Sequence, residues 1–325
     1  MTSPSSRKAL VTGGAGFIGS HVADALIAEG FAVTVIDNLS SGRRAQVPAQ
    51  ATFHEADIRS DDAAALVRQG GFDVICHLAA QIDVRKSVND PVFDSQVNVG
   101  GSLNLLEAVR ASERRTRFVF SSTGGAIYGD DVPLPTTEDA LMAPQSPYGT
   151  AKLSVEYYLA YYARVHGLDT VALRYANVYG PRQDPHGEAG VVAIFCNRLI
   201  DGTPLTVFGD GLQTRDYVFV GDVARANVLA ATKPLPDAGG VDARSFNVGT
   251  GVQTTVLDLA RVLSGAAGTP ADVQHAPPRA GEQRRSAVAV GKSGQVLGWK
   301  PSVSIDQGLP ETFRWFEAQR ESART

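Results

Sequence analysis

Through its first half the chain alternates short apolar runs with stretches of helical period. The runs lie at 8–12, 32–37, 52–55, 74–78, 118–121 and 170–175, and the helical stretches at 20–29, 61–69, 97–111 and 148–166. Short buried strands separated by helices predict an α/β fold built on a parallel, doubly wound sheet. Beyond residue 177 the alternation breaks down. Pro181, Pro185, Pro204, Pro234, Pro236, Pro270, Pro277 and Pro278 punctuate shorter segments there, which predicts a smaller, loop-rich α+β lobe. No internal repeat or low-complexity tract is visible.

At 325 residues the chain has room for one large or two ordinary domains. Thirty basic against 34 acidic residues leave a formal charge of -4, so nothing in the balance provides a cationic surface for nucleic acid or anionic lipid. With 43% apolar and 20% charged residues the chain reads as a folded globule. Cys76 and Cys196 are too few for a disulfide framework and lack zinc spacing. His186 and Glu188 share a loop without a third ligand, so no metal is expected. The short polar start leaves no room for a signal peptide, and no apolar stretch approaches the roughly 20 residues of a membrane span. The expected location is the cytoplasm.

Between the first strand and the first helix stands Thr12-Gly13-Gly14-Ala15-Gly16-Phe17-Ile18-Gly19. Gly13 suits a tight turn, Gly16 a close approach of backbone to a pyrophosphate, and Gly19 close packing of helix on strand. Unpaired N–H groups at the helix start then face the phosphates. The G-x-x-G-x-x-G spacing is also compatible with a ligand-free turn. Asp37 ends the second strand 18 residues after Gly19, where a carboxylate accepts from adenosine ribose hydroxyls. That position favours NAD over NADP, although Arg43 and Arg44 lie close by, and Asp37 alone also reads as a turn cap.

Tyr148 and Lys152 stand four apart at the start of an amphipathic stretch, on one helix face and about 6 Å apart along the axis. A phenol titrates near 10, and making it a base at neutral pH takes roughly 4 kcal/mol of preferential phenolate stabilisation. A cation about 5 Å away supplies on the order of 3 kcal/mol at an effective dielectric near 20. Such pairs also occur on ordinary helices, so the pair carries weight only in company.

Taken together, Thr12 to Gly19, Asp37, Leu78-Ala79-Ala80, Asn98, Ser121-Ser122-Thr123 and Tyr148 to Lys152 resemble the extended short-chain dehydrogenase/reductase superfamily, and within it the NAD-dependent nucleotide-sugar epimerases. The resemblance runs from about Lys8 to Phe316. It implies a Rossmann domain over 1–176 and a UDP-sugar lobe over 177–325, with parts of about 216–250 returning to the first. It implies that NAD is held by Gly13, Gly16, Phe17, Ile18, Gly19, Asp37 and Asn38, with Asp57 and Ile58 against the adenine. Leu78, Ala79, Ala80 and Gln81 would line the cleft, Asn98 would support the active-site helix, and Lys152 would bond the nicotinamide ribose. Catalysis would fall to Tyr148, Lys152 and Thr123.

For the substrate, the same resemblance implies contacts from Ser122, Thr123, Asn177, Val191, Val192, Phe208, Gln213, Arg215, Arg279 and Glu282, the two arginines clamping a diphosphate and Glu282 meeting the uridine ribose. Arg85 and Lys86 lie where they could pair with a uronate carboxyl. Ser286 stands at a gate position where a bulky tyrosine would exclude N-acetylated sugars. Ser122 to Gly129 is one residue longer than the common family pattern. Gly124 and Gly125 occupy the place where related dehydratases carry an acidic residue, which disfavours elimination. Tyr157, Tyr158, Tyr161 and Tyr162 mark the helix that packs in a homodimer in this family. The activity implied is C4 epimerisation of a UDP-hexose, glucose or galactose, through a 4-keto sugar. UDP-GlcNAc and UDP-glucuronate are alternative substrates, and a nucleotide-sugar reductase or a non-catalytic NAD-binding protein are alternative functions.

Overall fold

The computed structural model describes residues 7–185, 190–270, 272–278 and 283–322. In chain order, β1 (Lys8–Thr12), α1 (Phe17–Ala28), β2 (Ala32–Asp37), β3 (Thr52–Glu55), α2 (Asp61–Gly70) and β4 (Val74–His77) come first. Two short helices, α3 (Val84–Asn89) and α4 (Pro91–Ser95), pass through a π-helical turn at Gln96–Gly100 into α5 (Gly101–Ala111). Then follow β5 (Arg117–Thr123), α6 (Pro147–His166), β6 (Asp169–Tyr175), β7 (Asn177–Tyr179), α7 (Val191–Ile200), β8 (Leu205–Phe208), β9 (Thr214–Arg215) and β10 (Tyr217–Phe219). The chain continues through α8 (Val220–Thr232), β11 (Ser245–Val248), β12 (Thr254–Thr255), α9 (Val256–Ala267), β13 (Val273–Ala276) and α10 (Ile305–Ser322).

Seven strands form one parallel sheet in the order β3-β2-β1-β4-β5-β6-β11. Strand alternation divides the core between its two faces. Ala9, Val11, Val119, Val171 and Leu173 pack with α1 and α8, while Leu10, Ile75, Phe118, Phe120 and Ala172 pack with α2, α5 and α6. A run apolar at every position is therefore a strand covered on both sides. This is a doubly wound α/β fold.

Past residue 177 the chain is more helical than its proline content predicts. Pro204 precedes β8, Pro234 follows α8 and Pro270 follows α9, so these prolines mark element ends. A separate core gathers Phe195, Cys196, Leu205, Val207, Leu259, Leu263 and Phe313. Between them α8 leaves this lobe to lie on α1, and β11 pairs with β6 at the sheet edge. Both cysteines are buried free thiols. Among the described residues no helix is long and apolar enough to cross a membrane.

Candidate active site

The C-terminal ends of parallel strands lie on one edge of the sheet, and the loop between β1 and α1 opens there. Gly13 turns at φ +70°, and its N–H donates to the Ile36 carbonyl at 2.8 Å. A Cβ on Gly19 would sit 2.1 Å from the Gly13 carbonyl oxygen, so only glycine lets α1 approach the loop this closely. Gly16 caps α1 with no side-chain acceptor. The first-turn N–H groups at Phe17, Ile18 and Gly19 therefore lack both intrahelical partners and a capping side chain, the arrangement that suits a phosphate. Half-buried Phe17 and Ile18 turn their side chains to the surrounding core.

Asp37, 7% exposed, accepts from Ala15 N at 3.0 Å and from Leu39 N at 2.8 Å. Burial raises its carboxyl above the ordinary value, and these two donors oppose that. Among the described residues no cation pairs with Asp37: Arg44 stacks on Phe53 at 4.5 Å, and Arg43 pairs with Asp184 at 3.6 Å. An acidic, pre-oriented carboxylate beside the cradle fits two ribose hydroxyls and repels a 2′-phosphate. Asn38 is exposed and donates to Asp57 at 3.3 Å. The Arg59 fork holds Asp57, bringing its carboxyl down to about 2, while Ile58 is buried in the sheet core. The residues present fit a bound NAD.

Beneath the cradle runs a directed chain of hydrogen bonds. Thr12 Oγ1 accepts from Leu78 N and Ala79 N, both at 3.2 Å, and so gives its own proton to His77 Nδ1 at 2.7 Å. His77 Nε2 then donates to Ser102 Oγ at 2.9 Å, which donates to the Asn98 carbonyl at 2.6 Å. This order assigns a neutral His77, in keeping with burial that lowers its imidazole to about 3, with Lys152 acting in the same direction. The Asn98 side chain accepts from Gln81 N at 2.9 Å and donates to the Gln81 carbonyl at 3.0 Å, fixing the strand end that carries Leu78, Ala79 and Ala80. Thr12 enters the glycine motif without a role of its own, and His77 and Ser102 are absent from the sequence-based site, because nothing local in them signals a contact across 25 or 65 positions.

Helix α6 brings the chemistry to this edge. Ser146 caps it by accepting from Gly149 N at 3.1 Å, and Pro147 suits its first turn. Gly149 packs on the Ala126 carbonyl so closely that a Cβ would lie 2.6 Å from it, which draws the helix start against the turn after β5. Half-buried Tyr148 donates its backbone N–H to Ser87 Oγ at 3.2 Å. Lys152, 4% exposed, puts its Nζ 5.9 Å from the Tyr148 ring centre, 4.7 Å over the Phe120 ring and 2.8 Å from the Ser121 carbonyl. Burial lowers its ammonium to about 8, against the opposing charges of Asp94 and Glu156.

The hydroxyls after Ser121 divide. Ser122, expected at the substrate, is 3% exposed and donates to Glu156 Oε1 in the core. Glu156 in turn holds the buried Arg174 guanidinium, with contacts of 2.6 to 3.1 Å. Thr123, on the opposite face of β5 and less buried, lies at the strand end; a Cβ on Gly125 would stand 3.9 Å from both its Oγ1 and Asn177 Oδ1. Strand alternation is what separates the two hydroxyls.

From the second lobe, exposed Asn177 opens β7, whose N–H donates to the Asp216 carbonyl at 2.9 Å. Arg215 ends β9, its Nη1 on the Thr214 carbonyl at 2.8 Å, and Gln213 Nε2 donates to the Phe208 carbonyl at 3.1 Å. Asp216 is a structural anchor: it accepts from Thr250, Gly251 and Val288 at 2.6 to 3.2 Å. Val191 is half-buried at the start of α7, whereas Val192, expected at the substrate, turns into the lobe core at 1% exposure. Arg85 is exposed on α3, and Lys86 lies over the Phe93 ring at 4.6 Å. Ser286 is buried, its N–H on the Thr214 carbonyl at 3.2 Å. Arg279, Glu282, His186 and Glu188 fall outside the described residues.

A glycine cradle with a ribose-binding carboxylate, beside a tyrosine and lysine on one helix face, defines an NAD-dependent enzyme acting on a hydroxyl-bearing substrate. Residues 9–249 match the model of the NAD dependent epimerase/dehydratase family, and the chain belongs to that family. It is 46% identical over 314 residues to a UDP-glucose 4-epimerase of Mycolicibacterium smegmatis, covering 95% of this chain and 98% of that protein. The Thermotoga maritima UDP-glucose 4-epimerase structure with UDP-glucose superposes with a TM-score of 0.90 at 46% identity, over 96% of this chain and 99% of the other. The Thermus thermophilus UDP-glucose 4-epimerase structure with NAD gives 0.87 at 44% identity, over 95% and 99%.

Proposed function

We propose that this chain interconverts the C4 epimers of a UDP-hexose, UDP-glucose and UDP-galactose, with NAD as its resident cofactor. The observation that carries the reading is the buried Lys152 ammonium 5.9 Å from the Tyr148 ring, at the sheet edge where the glycine cradle opens. A unit charge at about 6 Å stabilises a phenolate by on the order of 3 kcal/mol at an effective dielectric near 20. Tyr148 as phenolate takes the proton of the sugar 4-hydroxyl, and the Thr123 hydroxyl holds that oxygen and shares the proton. Held by the glycine cradle and Asp37, NAD would supply reversible hydride transfer at C4, so that a 4-keto sugar turned over in the pocket would be reduced on its opposite face. Asn177, Arg215 and Arg279 hold the diphosphate while the hexose turns, since a forked guanidinium suits paired phosphate oxygens. Gly124 and Gly125 follow the hydroxyl where an elimination would need a carboxyl, which supports epimerisation over loss of water.

In this reading residues 1–176 bind NAD and 177–325 form mainly the UDP-sugar lobe, with parts of about 216–250 belonging to the first. The protein works in the cytoplasm as a homodimer. Exposed Tyr157, Tyr158, Tyr161 and Val165 on α6 supply the apolar helix face, and sedimentation at micromolar concentration tests the assembly.

A second reading, a 4-epimerase for N-acetylated UDP-hexoses, is favoured by the small Ser286 at the gate position. A uronate substrate would depend on Arg85, exposed on α3, since Lys86 lies over the Phe93 ring. Incubating purified protein separately with UDP-glucose, UDP-GlcNAc and UDP-glucuronate and separating the 4-epimers decides among them. UDP-glucose turning over slowest by orders of magnitude would overturn the first reading. Release of free NADH in step with oxidation of the sugar to a ketone would point to a nucleotide-sugar reductase running in its oxidative direction instead.

A further inference from the structure

The chemistry outlined above makes no use of one buried carboxylate near Lys152. Asp94, on α4, is 1% exposed, and its Oδ1 accepts from Gln81 Nε2 at 2.8 Å and from Asn98 Nδ2 at 3.0 Å. Its other oxygen, Oδ2, is buried with no hydrogen-bond partner among the described residues. A carboxylate oxygen left without a donor away from water is unfavourable unless positive charge stands near enough to compensate.

Lys152 is the buried cation on α6, the helix that faces α4. Helix α4 packs against α6, and Asp94 is the foremost influence opposing the loss of the Lys152 proton to burial. The other groups facing Lys152 do not substitute for it. Glu156 lies one turn further along α6 but is paired through both oxygens with Arg174, each side chain with no exposed surface. His77 on β4 is held neutral. Phe120 on β5 offers only its ring face, and the Ser121 carbonyl takes a single N–H. Tyr148 gains from the lysine charge and cannot sustain it while neutral.

We propose that Asp94 is a positioning residue: its carboxylate is the counter-ion that keeps the Lys152 ammonium protonated, and thereby maintains the positive charge beside Tyr148. Through Oδ1 the same carboxylate ties that charge to Gln81 and Asn98, so the cleft wall and the lysine are set together. The proposal rests on the functional reading for what the lysine does, but the charge of Lys152 is measurable without turnover.

The test uses NAD-loaded protein carrying ¹³C-labelled lysine, with the Lys152 resonance assigned through Lys152→Arg. Asp94→Asn keeps an oxygen acceptor for Gln81 and Asn98 and removes the charge. The Lys152 midpoint should fall by about one pH unit or more, the scale for losing one close opposite charge. The alkaline limb of kcat with UDP-glucose should move down with it, and Asp94→Glu should bring both back toward wild type. A midpoint in Asp94→Asn within about 0.3 units of wild type would overturn the proposal, because a merely structural carboxylate affects stability and leaves that titration in place. If Asp94→Asn does not fold by circular dichroism, Asp94→Ser makes the same comparison. Absence of turnover in the wild type would count against the UDP-hexose reading, and the labelled-lysine midpoint would still decide the Asp94 coupling.

Discussion

The Lys152 ammonium stands 5.9 Å from the centre of the Tyr148 ring, one helical turn along α6, and is pinned there by the Ser121 carbonyl at 2.8 Å. The lysine is thus tied to the sheet as well as to its own helix, so the distance to the phenol does not depend on a flexible side chain finding its place. Tyr148→Phe removes the proton acceptor and leaves this framework standing. Turnover should drop by at least about two orders of magnitude while NAD and UDP still bind. Kinetics alongside equilibrium binding check this, and near-normal turnover would remove the tyrosine from the chemistry.

Ser122 and Thr123 should separate cleanly on substitution. Ser122→Ala deprives the buried Glu156 of a donor, so it should lower stability by about 1–3 kcal/mol with kcat close to wild type. Thr123→Val keeps the shape and should lower kcat with little change in stability. Unfolding in urea and steady-state kinetics on the two variants distinguish them; the reverse pattern would assign the sugar contact to Ser122.

Acid should destabilise the fold through His77. Its folded value, about 3, lies below the unfolded value of 6.5, so the stability it contributes is present above pH 6.5 and is lost as pH falls from there toward 3. Between pH 7 and pH 5 that loss amounts to about 2 kcal/mol. His77→Asn, which does not titrate, should show a pH dependence smaller by that amount even though it starts less stable. Urea unfolding at both pH values and one protein concentration makes the comparison; identical slopes in the two proteins would show that the imidazole charges without cost.

Arg215 should act on binding. Losing one charge-assisted contact to a diphosphate costs about 1.5–3 kcal/mol, so Arg215→Ala should raise KM for the UDP-sugar roughly ten- to hundredfold with a smaller change in kcat. A kcat loss at unchanged KM would place the guanidinium at the reacting carbon.

Much of the fold was legible because its signals are local. The runs at 8–12, 32–37 and 52–55 are the strands β1, β2 and β3 to the residue; β1 and β2 are buried over most of their length, whereas β3 is a mostly exposed edge strand. Helix starts were less legible. α1 begins at Phe17, three residues before the helical period suggests, because bare glycine caps it. The second lobe reads as loops in sequence, since prolines at element ends look the same as prolines between elements.

The glycine spacing, the acid at the end of β2 and the tyrosine and lysine four apart are properties of neighbouring residues, governed by helix and strand periodicity, and the sequence alone determined them. Which of two adjacent serine and threonine hydroxyls faces outward, and that Asp94, Gln81 and Asn98 gather in one hydrogen-bonded cluster, depended on how distant segments pack. So did the pairing of β11 with β6, between residues some seventy positions apart. Such pairings are chosen by the burial of whole faces, and no short stretch of chain records which face will meet which.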